Sequence, residues 1–413
     1  MDKEKLKDHV IAIKSRDEIG TLATTVNQMT QALVKAAAAS KDLTVGKEVQ
    51  RMFIPLDKNE HGEKGTTGGE ITDQIEIFGY YEGAKGVSGD YFDYIKLADK
   101  YYAVIKCDVA GKGVPAALIM VEVATIFSNF FRNWTPKDPG LKIDQLAYQI
   151  NDMLEERGFK GRFAALTLCL INSETGKTYF CHAGDTNLYI YRSALGAMTM
   201  TKLPDAPAAG VFPSMLVEMQ SGFKRVPDQL EKGDTVFLFT DGIEEAKRIF
   251  RNDQYQHIIC DESGLGENEE HEGTHLKGSD NEELGIPRIY EIINAVTKAV
   301  RYELKKYHNP IPDELLSFDF SNSGGSVEET VLAMVAVEKV FRIYTHSRLG
   351  AEDKVLVDKK IVEFLKKHFE QFDSYFGHPL EVGERDMTVT FTHLKEDEQY
   401  DDLTILAIRK RQP

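Results

Sequence analysis

Asp108 stands where an apolar run gives way to a glycine-bearing turn. Tyr101-Tyr-Ala-Val-Ile-Lys106 leads into Cys107-Asp-Val-Ala-Gly-Lys-Gly-Val-Pro-Ala-Ala-Leu118. The first segment is β-branched and aromatic and reads as a strand, and Pro115 suits the first turn of a helix. Gly111 and Gly113 let the backbone turn tightly or approach a ligand closely. The arrangement recurs along the chain. Asp90 and Asp93 lie in Val87-Ser-Gly-Asp-Tyr-Phe-Asp-Tyr-Ile-Lys-Leu97, Asp241 ends the run Asp234-Thr-Val-Phe-Leu-Phe-Thr240, and Asp401 and Asp402 open Leu403–Ile408. Acidic residues are poor strand formers, so their repeated placement at strand ends calls for a reason. Carboxylates, carbonyls and waters are the donors that Mg²⁺ or Mn²⁺ take. Two such ions about 4 Å apart can clamp a phosphoryl group and activate a water. Each aspartate singly would equally serve as a turn or cap residue; the set is what points to metal chemistry.

Other chemistries fit less well. A phosphate-binding loop needs Ser or Thr after its lysine, but Lys112 is followed by Gly113, and Lys106 stands where its first glycine would be. No Ser-His-Asp or Cys-His arrangement stands out. Lys112 reads either as an attractor for phosphate or as a solvated turn lysine. His182 and the other histidines show no metal-ligand spacing and read as core or surface residues. Cys107, Cys169, Cys181 and Cys260 form no Cys-x-x-Cys pair and read as reduced, buried thiols of a cytosolic compartment. The formal net charge of −16 over 413 residues argues against nucleic acid as a main partner. No apolar run approaches the roughly 18 residues that span a bilayer, and no signal-peptide pattern opens the chain, so the sequence reads as soluble.

The elements that would carry these residues are legible in outline. Ile19, Leu22, Val26, Met29 and Leu33 repeat at spacings of three and four, a narrow seam suited to pairing with another helix. Val49-Gln-Arg-Met-Phe-Ile-Pro-Leu56 closes this lead-in, and the polar stretch from Asp57 to Glu70 reads as an exposed loop. Strands are expected at Ile75–Tyr81, Ala164–Ile171, Lys177–Ala183 and Asn187–Arg192, with a Gly184-Asp185 turn between the last two. Farther on, Cys260–Glu283 is acidic and reads as a mobile loop. Helices are expected around Ile289–Val300, over Val327–Phe341 and over Val355–Phe376.

The ordered series SGDYFD (88–93), DVAGKGVPAAL (108–118), FTDGIEEA (239–246) and DDLT (401–404) resembles the bacterial SpoIIE/RsbU branch of the metal-dependent type 2C serine/threonine protein phosphatases (PPM). The opening VQRMFIPL and the turn HAGD (182–185) share the resemblance, which runs from about 49 to 248 and resumes near 400. It implies an α+β fold, a four-layer α/β/β/α sandwich of two antiparallel sheets, and two divalent ions, Mn²⁺ or Mg²⁺. In that scheme Asp108 bridges both ions and the Val109 carbonyl joins the second. Asp90 binds through water, Asp241 and Asp401 complete the shell of the first ion, and Asp93, Lys112 and Asp402 are supporting residues. The implied reaction is attack of metal-activated water on a phosphoserine or phosphothreonine protein, by analogy a STAS-type anti-sigma-factor antagonist.

Ser15–Met29 resembles the second half of a HAMP signalling module. That implies a dimeric input helix over 1–48, a phosphatase domain over 49–413, and a cytoplasmic chain whose parent protein is anchored in the inner membrane. The segment at about 249–395 exceeds what the branch needs and reads as an acidic loop and helical insertion beside the site. Two alternatives share the aspartates: a catalytically inactive phosphatase-fold scaffold, and a hydrolase of small phosphoesters.

Overall fold

The computed structural model describes residues 18–59, 62–84, 86–132, 134–135, 142–159, 161–184, 187–266, 273–346, 348–377 and 388–411. The expected turn residue Asp185, the start of the HAMP-like string at 15–17 and part of the acidic loop, 267–272, lie outside them.

Its strands are β1 (Thr67–Ile71), β2 (Ile75–Glu82), β3 (Tyr91–Leu97), β4 (Tyr101–Val109), β5 (Ala164–Asn172), β6 (Lys177–Ala183), β7 (Asn187–Arg192), β8 (Ala197–Lys202), β9 (Val226–Gln229) and β10 (Thr235–Phe239), with a C-terminal strand at Leu403–Lys410 and several short pairs. The helices are α1 (Glu18–Arg51), α2 (Val114–Phe131), α3 (Ile143–Arg157), α4 (Ser214–Gln220), α5 (Asp241–Glu244), α6 (Gly285–Lys298), α7 (Val327–Arg342) and α8 (Lys359–His368). One antiparallel sheet runs β3-β4-β5-β6-β9; the other runs β1-β2-C-terminal strand-β10-β7-β8. The end of the stretch read as an exposed loop is thus an edge strand, β1, paired with β2.

Alternation along the strands builds two cores. On the C-terminal strand Leu406 and Ile408 join a core shared with the five-stranded sheet, α2 and α3. Ile405 and Ala407, one residue out of phase, join a second core with α6, α7 and α8. β10 divides the same way, Val236 and Leu238 to the first core and Phe237 and Phe239 to the second. Helices α2 and α3 pack on the five-stranded sheet, while α6 and α7 pack on the six-stranded one. By length and composition α2 is apolar enough to cross a membrane, contrary to the sequence reading. Here it is a core helix, with Ile119, Met120, Val123 and Phe127 buried.

The long segment before the last strand departs from its sequence reading. Among the described residues it forms no lobe apart from the sheets: α6 and α7 cover the outer face of the six-stranded sheet and join the second core. α7 starts at a capping box in which Ser326 and Glu329 satisfy each other's backbone N–H groups. The expected helix over Val355–Phe376 is a strand followed by a helix. Lys354–Asp358 pairs with Thr388–Thr392, because Val355 and Val357 are buried and Leu356 between them is exposed, a period of two. Asp358 then caps α8, accepting from the Lys360 N–H. The described parts of Cys260–Glu283 are pinned: Cys260 donates its N–H to Ser279 and accepts from Gly278, Gly264 donates its N–H to the His275 carbonyl, and Thr274 donates its N–H to that of Leu265.

Candidate metal centre

Residues 90 and 108 stand opposite each other because β3 and β4 pair in register, Tyr91 with Cys107 and Phe92 with Lys106. Extending that ladder by one step puts both carboxylates at the mouth of one hairpin, on one face of the sheet. In the other sheet, Phe239 at the end of β10 is paired with Ile405 of the C-terminal strand. The loops carrying Asp241 and Asp401 therefore leave neighbouring strands at the same edge.

Between the sheets at this edge lies a cleft of about 530 Å³, lined by Asp108, Lys112, Asp241, Glu244 and Asp401, with β4, β5, β7 and β10 as walls. Asp90 sits behind the cleft, 2% exposed. It accepts from the Thr240 hydroxyl at 2.7 Å, and its own N–H donates to the Ser88 hydroxyl at 2.9 Å. Burial, then the charges of Asp108 and Asp402, push its carboxyl well above the usual carboxylate range.

Two glycines allow the motifs to close on one another. A Cβ on Gly89 would lie 2.5 Å from the Val109 carbonyl oxygen, and one on Gly242 would lie 1.9 Å from that of Asp402. Neither position admits a side chain without moving backbone. Asp402 is an organiser of this packing. Buried, with its carboxyl raised by that burial, it accepts from the N–H of Ala84 at 2.8 Å and of Gly89 at 3.3 Å. It fixes the loop that delivers Asp90.

Lys112 is exposed but paired. Its Nζ lies 2.8 Å from Asp401 Oδ2, donates to the Tyr400 carbonyl, and sits 4.4 Å from the centre of the Tyr400 ring. Burial works against its charge, but the hydrogen bond and charge of Asp401 raise its pKa.

Asp93 is not brought to the cleft. Three positions along β3 from Asp90, it faces the opposite side of the sheet, where Tyr91 donates to it at 2.8 Å and the Tyr94 N–H at 2.8 Å. Burial raises its carboxyl to about 6. The supporting role expected of it is replaced by a structural one, because an odd residue offset in a strand reverses the face.

Three residues escaped the sequence reading. Thr240 anchors Asp90, and Glu244, one turn after Asp241 on α5, adds a carboxylate to the cleft. Gln50, in the last turn of α1, clamps Ser88 from both sides: its amide nitrogen donates to the Ser88 carbonyl and its amide oxygen accepts from the Ser88 N–H at 3.0 Å. The fixed offset of Thr240 from Asp241 was the available signal for the first. Gln50 pairs across 38 residues and had none.

The donor set fits hard divalent ions. Asp108, Asp241 and Asp401 present carboxylates to one cleft, and a cation there would relieve the repulsion that weighs on Asp90. Among the described residues no three of these carboxylates bring one oxygen each within 4.8 Å of one another.

Comparison with known proteins bears on the same segment. Residues 98–272 match the family described as Stage II sporulation protein E (SpoIIE). Protein IcfG of Synechocystis is 24% identical over 260 residues, covering 56% of this chain and 38% of IcfG. The phosphoserine phosphatase RsbU of Bacillus subtilis is 25% identical over 164 residues, 40% of this chain and 45% of RsbU. The chain thus spans less than half the length of either relative. Among solved structures, the SiaA-PP2C domain of Pseudomonas aeruginosa aligns at 16% identity with a TM-score of 0.46, over 91% of this chain and 98% of that one. The span that matches the SpoIIE family model, residues 98–272, contains Asp108 and Asp241.

Proposed function

We propose that this chain is a metal-dependent protein-serine/threonine phosphatase acting in a partner-switching signalling pathway. The observation that carries the reading is the shared cleft of Asp108, Asp241 and Asp401 at the facing edges of the two sheets. Two divalent ions, Mn²⁺ or Mg²⁺, held by Asp108, Asp241, Asp401 and the Val109 carbonyl, would supply Lewis acidity toward a phosphoryl oxygen and a water activated near neutral pH. The chain's own groups do the rest. Asp402, buried behind the cleft, holds Ala84 and Gly89 by their N–H groups, Gly89 accepts from the Val109 N–H, and Asp90 accepts from Thr240. Lys112 holds Asp401 at the rim.

A phosphorylated STAS-type protein is the proposed substrate, on the likeness to a relative named phosphoserine phosphatase RsbU. The HAMP-like string at 15–29 supports a cytoplasmic chain whose parent protein is anchored in the inner membrane. The exposed Leu22 and Met29 of α1 support a homodimer through that helix. Comparing turnover on a phosphoserine STAS protein with turnover on a small aryl phosphate, at equal Mn²⁺, tests the substrate class. A large preference for the phosphoprotein is expected, and an equal or reversed preference would assign a small-phosphoester hydrolase instead.

A further inference from the structure

A second group of metal-binding side chains lies in the long segment before the last strand, away from the aspartate cleft. Cys260, Asp261 and His308 each offer one ligand atom, and these atoms lie within 4.8 Å of one another. A second imidazole adjoins the cysteine, outside that 4.8 Å group: His275 Nε2 is 3.4 Å from Cys260 Sγ. We propose that Cys260, Asp261 and His308, with His275 beside Cys260 as the fourth donor, form a structural zinc site that staples residues 260–261 to the segment around residue 308.

The donor chemistry separates this group from the cleft. One thiolate, two imidazoles and a carboxylate are the ligands zinc takes in four-coordinate sites, whereas Mg²⁺ and Mn²⁺ prefer oxygen alone. The spacing fits as well. With Zn–S about 2.3 Å and Zn–N about 2.0–2.1 Å, tetrahedral angles put a sulfur and a nitrogen ligand roughly 3.6 Å apart, close to the 3.4 Å found for Cys260 and His275.

The surroundings hold the ligands in place. Cys260 is buried, with its backbone N–H and carbonyl both bonded, to Ser279 and Gly278. The Phe250 ring lies edge-on to both imidazoles, 4.9 Å from His275 and 6.0 Å from His308. On the far side of the His275 ring, Nδ1 lies 3.4 Å from the Thr274 hydroxyl and 3.8 Å from the buried Glu282 carboxylate. Glu282 is itself fixed by Arg248 and Arg288. The His308 carbonyl accepts from the Arg251 N–H at 2.8 Å, and Arg251 pairs with Asp397, so the staple sits on the framework that leads to Asp401. Binding transfers the Cys260 thiol proton to solvent, and the thiolate completes the zinc shell.

The test is a titration of the whole metal-stripped chain with Co²⁺, then with Zn²⁺. A thiolate-to-cobalt charge-transfer band reports this site alone, because the aspartate cleft has no sulfur ligand. The wild type is expected to show the band, lose it to one equivalent of Zn²⁺, and gain thermal stability with Zn²⁺. Cys260→Ser is expected to abolish the band and the gain. His308→Ala, at a half-buried position, guards against a Cys260 variant that does not fold, and is expected to weaken cobalt binding at least tenfold. A folded wild type without the band, or a band and affinity unchanged in His308→Ala, would overturn the proposal.

Discussion

Among single residues, some aspartates face the cleft and others hold it in place. Asp402 accepts two backbone N–H groups and is buried. Asp402→Asn puts an amide where two donors require an acceptor. We expect the variant to remain folded by circular dichroism while metal affinity or turnover falls about 10- to 100-fold, read from the Mn²⁺ dependence of phosphate release. Asp93, on the other face of β3, gives the contrasting case: Asp93→Asn should leave that dependence within about twofold of wild type. The aspartates at 90, 108, 241 and 401 were legible from the sequence because each stands at one end of an apolar or aromatic run, before it (90, 401) or after it (108, 241). The difference between Asp90 and Asp93 was not, since it depends on where β3 begins. Nor was the Lys112–Asp401 pair, which joins residues from opposite ends of the chain.

At the scale of elements, two joints carry consequences. The last turn of α1 is tied to the loop before Asp90 by the Gln50 amide. Gln50→Ala leaves a buried N–H and carbonyl of Ser88 unpaired, a cost of about 1–3 kcal/mol for each group. The loop then loses its anchor, and phosphate release should fall on the order of 10- to 100-fold. Full activity in that variant would show that α1 does not position the loop. The second joint is Asp358, capping α8 and accepting from the Thr66 hydroxyl at 2.9 Å. Burial raises its carboxyl from 3.8 to about 6. The folded state therefore holds this proton more tightly than the unfolded chain, and stability drains away as pH rises from about 4 through 6. Asp358→Asn keeps the cap. It should stabilise the protein by on the order of 1–3 kcal/mol at pH 7–8, a gain that vanishes near pH 4, as read from urea unfolding at several pH values. Strand and helix identity was readable where the period was clear, as for Tyr101–Val109 and Val327–Arg342. It failed over Val355–Phe376, where the register of burial, invisible in the sequence, splits one apolar stretch into a strand and a helix.

At the scale of the whole molecule, the sheets meet so that loops from both ends of the chain reach one cleft. The 98–272 family match excludes Asp90 and Asp401, so the complete set exists only because the C-terminal strand lies between β2 and β10. The helices read as an insertion are the cover of that sheet, which sequence could not show because the outer face of a strand gives no sign of its partner. If α1 is the dimerising element, residues 1–413 should be dimeric by light scattering at micromolar concentration and a chain shortened to 49–413 monomeric; equal mass per protomer in both would place the dimer elsewhere or nowhere. The central claim is that the aspartate cleft is a divalent-metal phosphatase centre. Its most direct test is phosphate release from a phosphoserine protein as a function of Mn²⁺ or Mg²⁺, wild type beside Asp108→Asn. The account predicts turnover that requires the ion and falls at least about 100-fold in the variant. Turnover without added ion in a chelated sample, or equal turnover in Asp108→Asn, would contradict it.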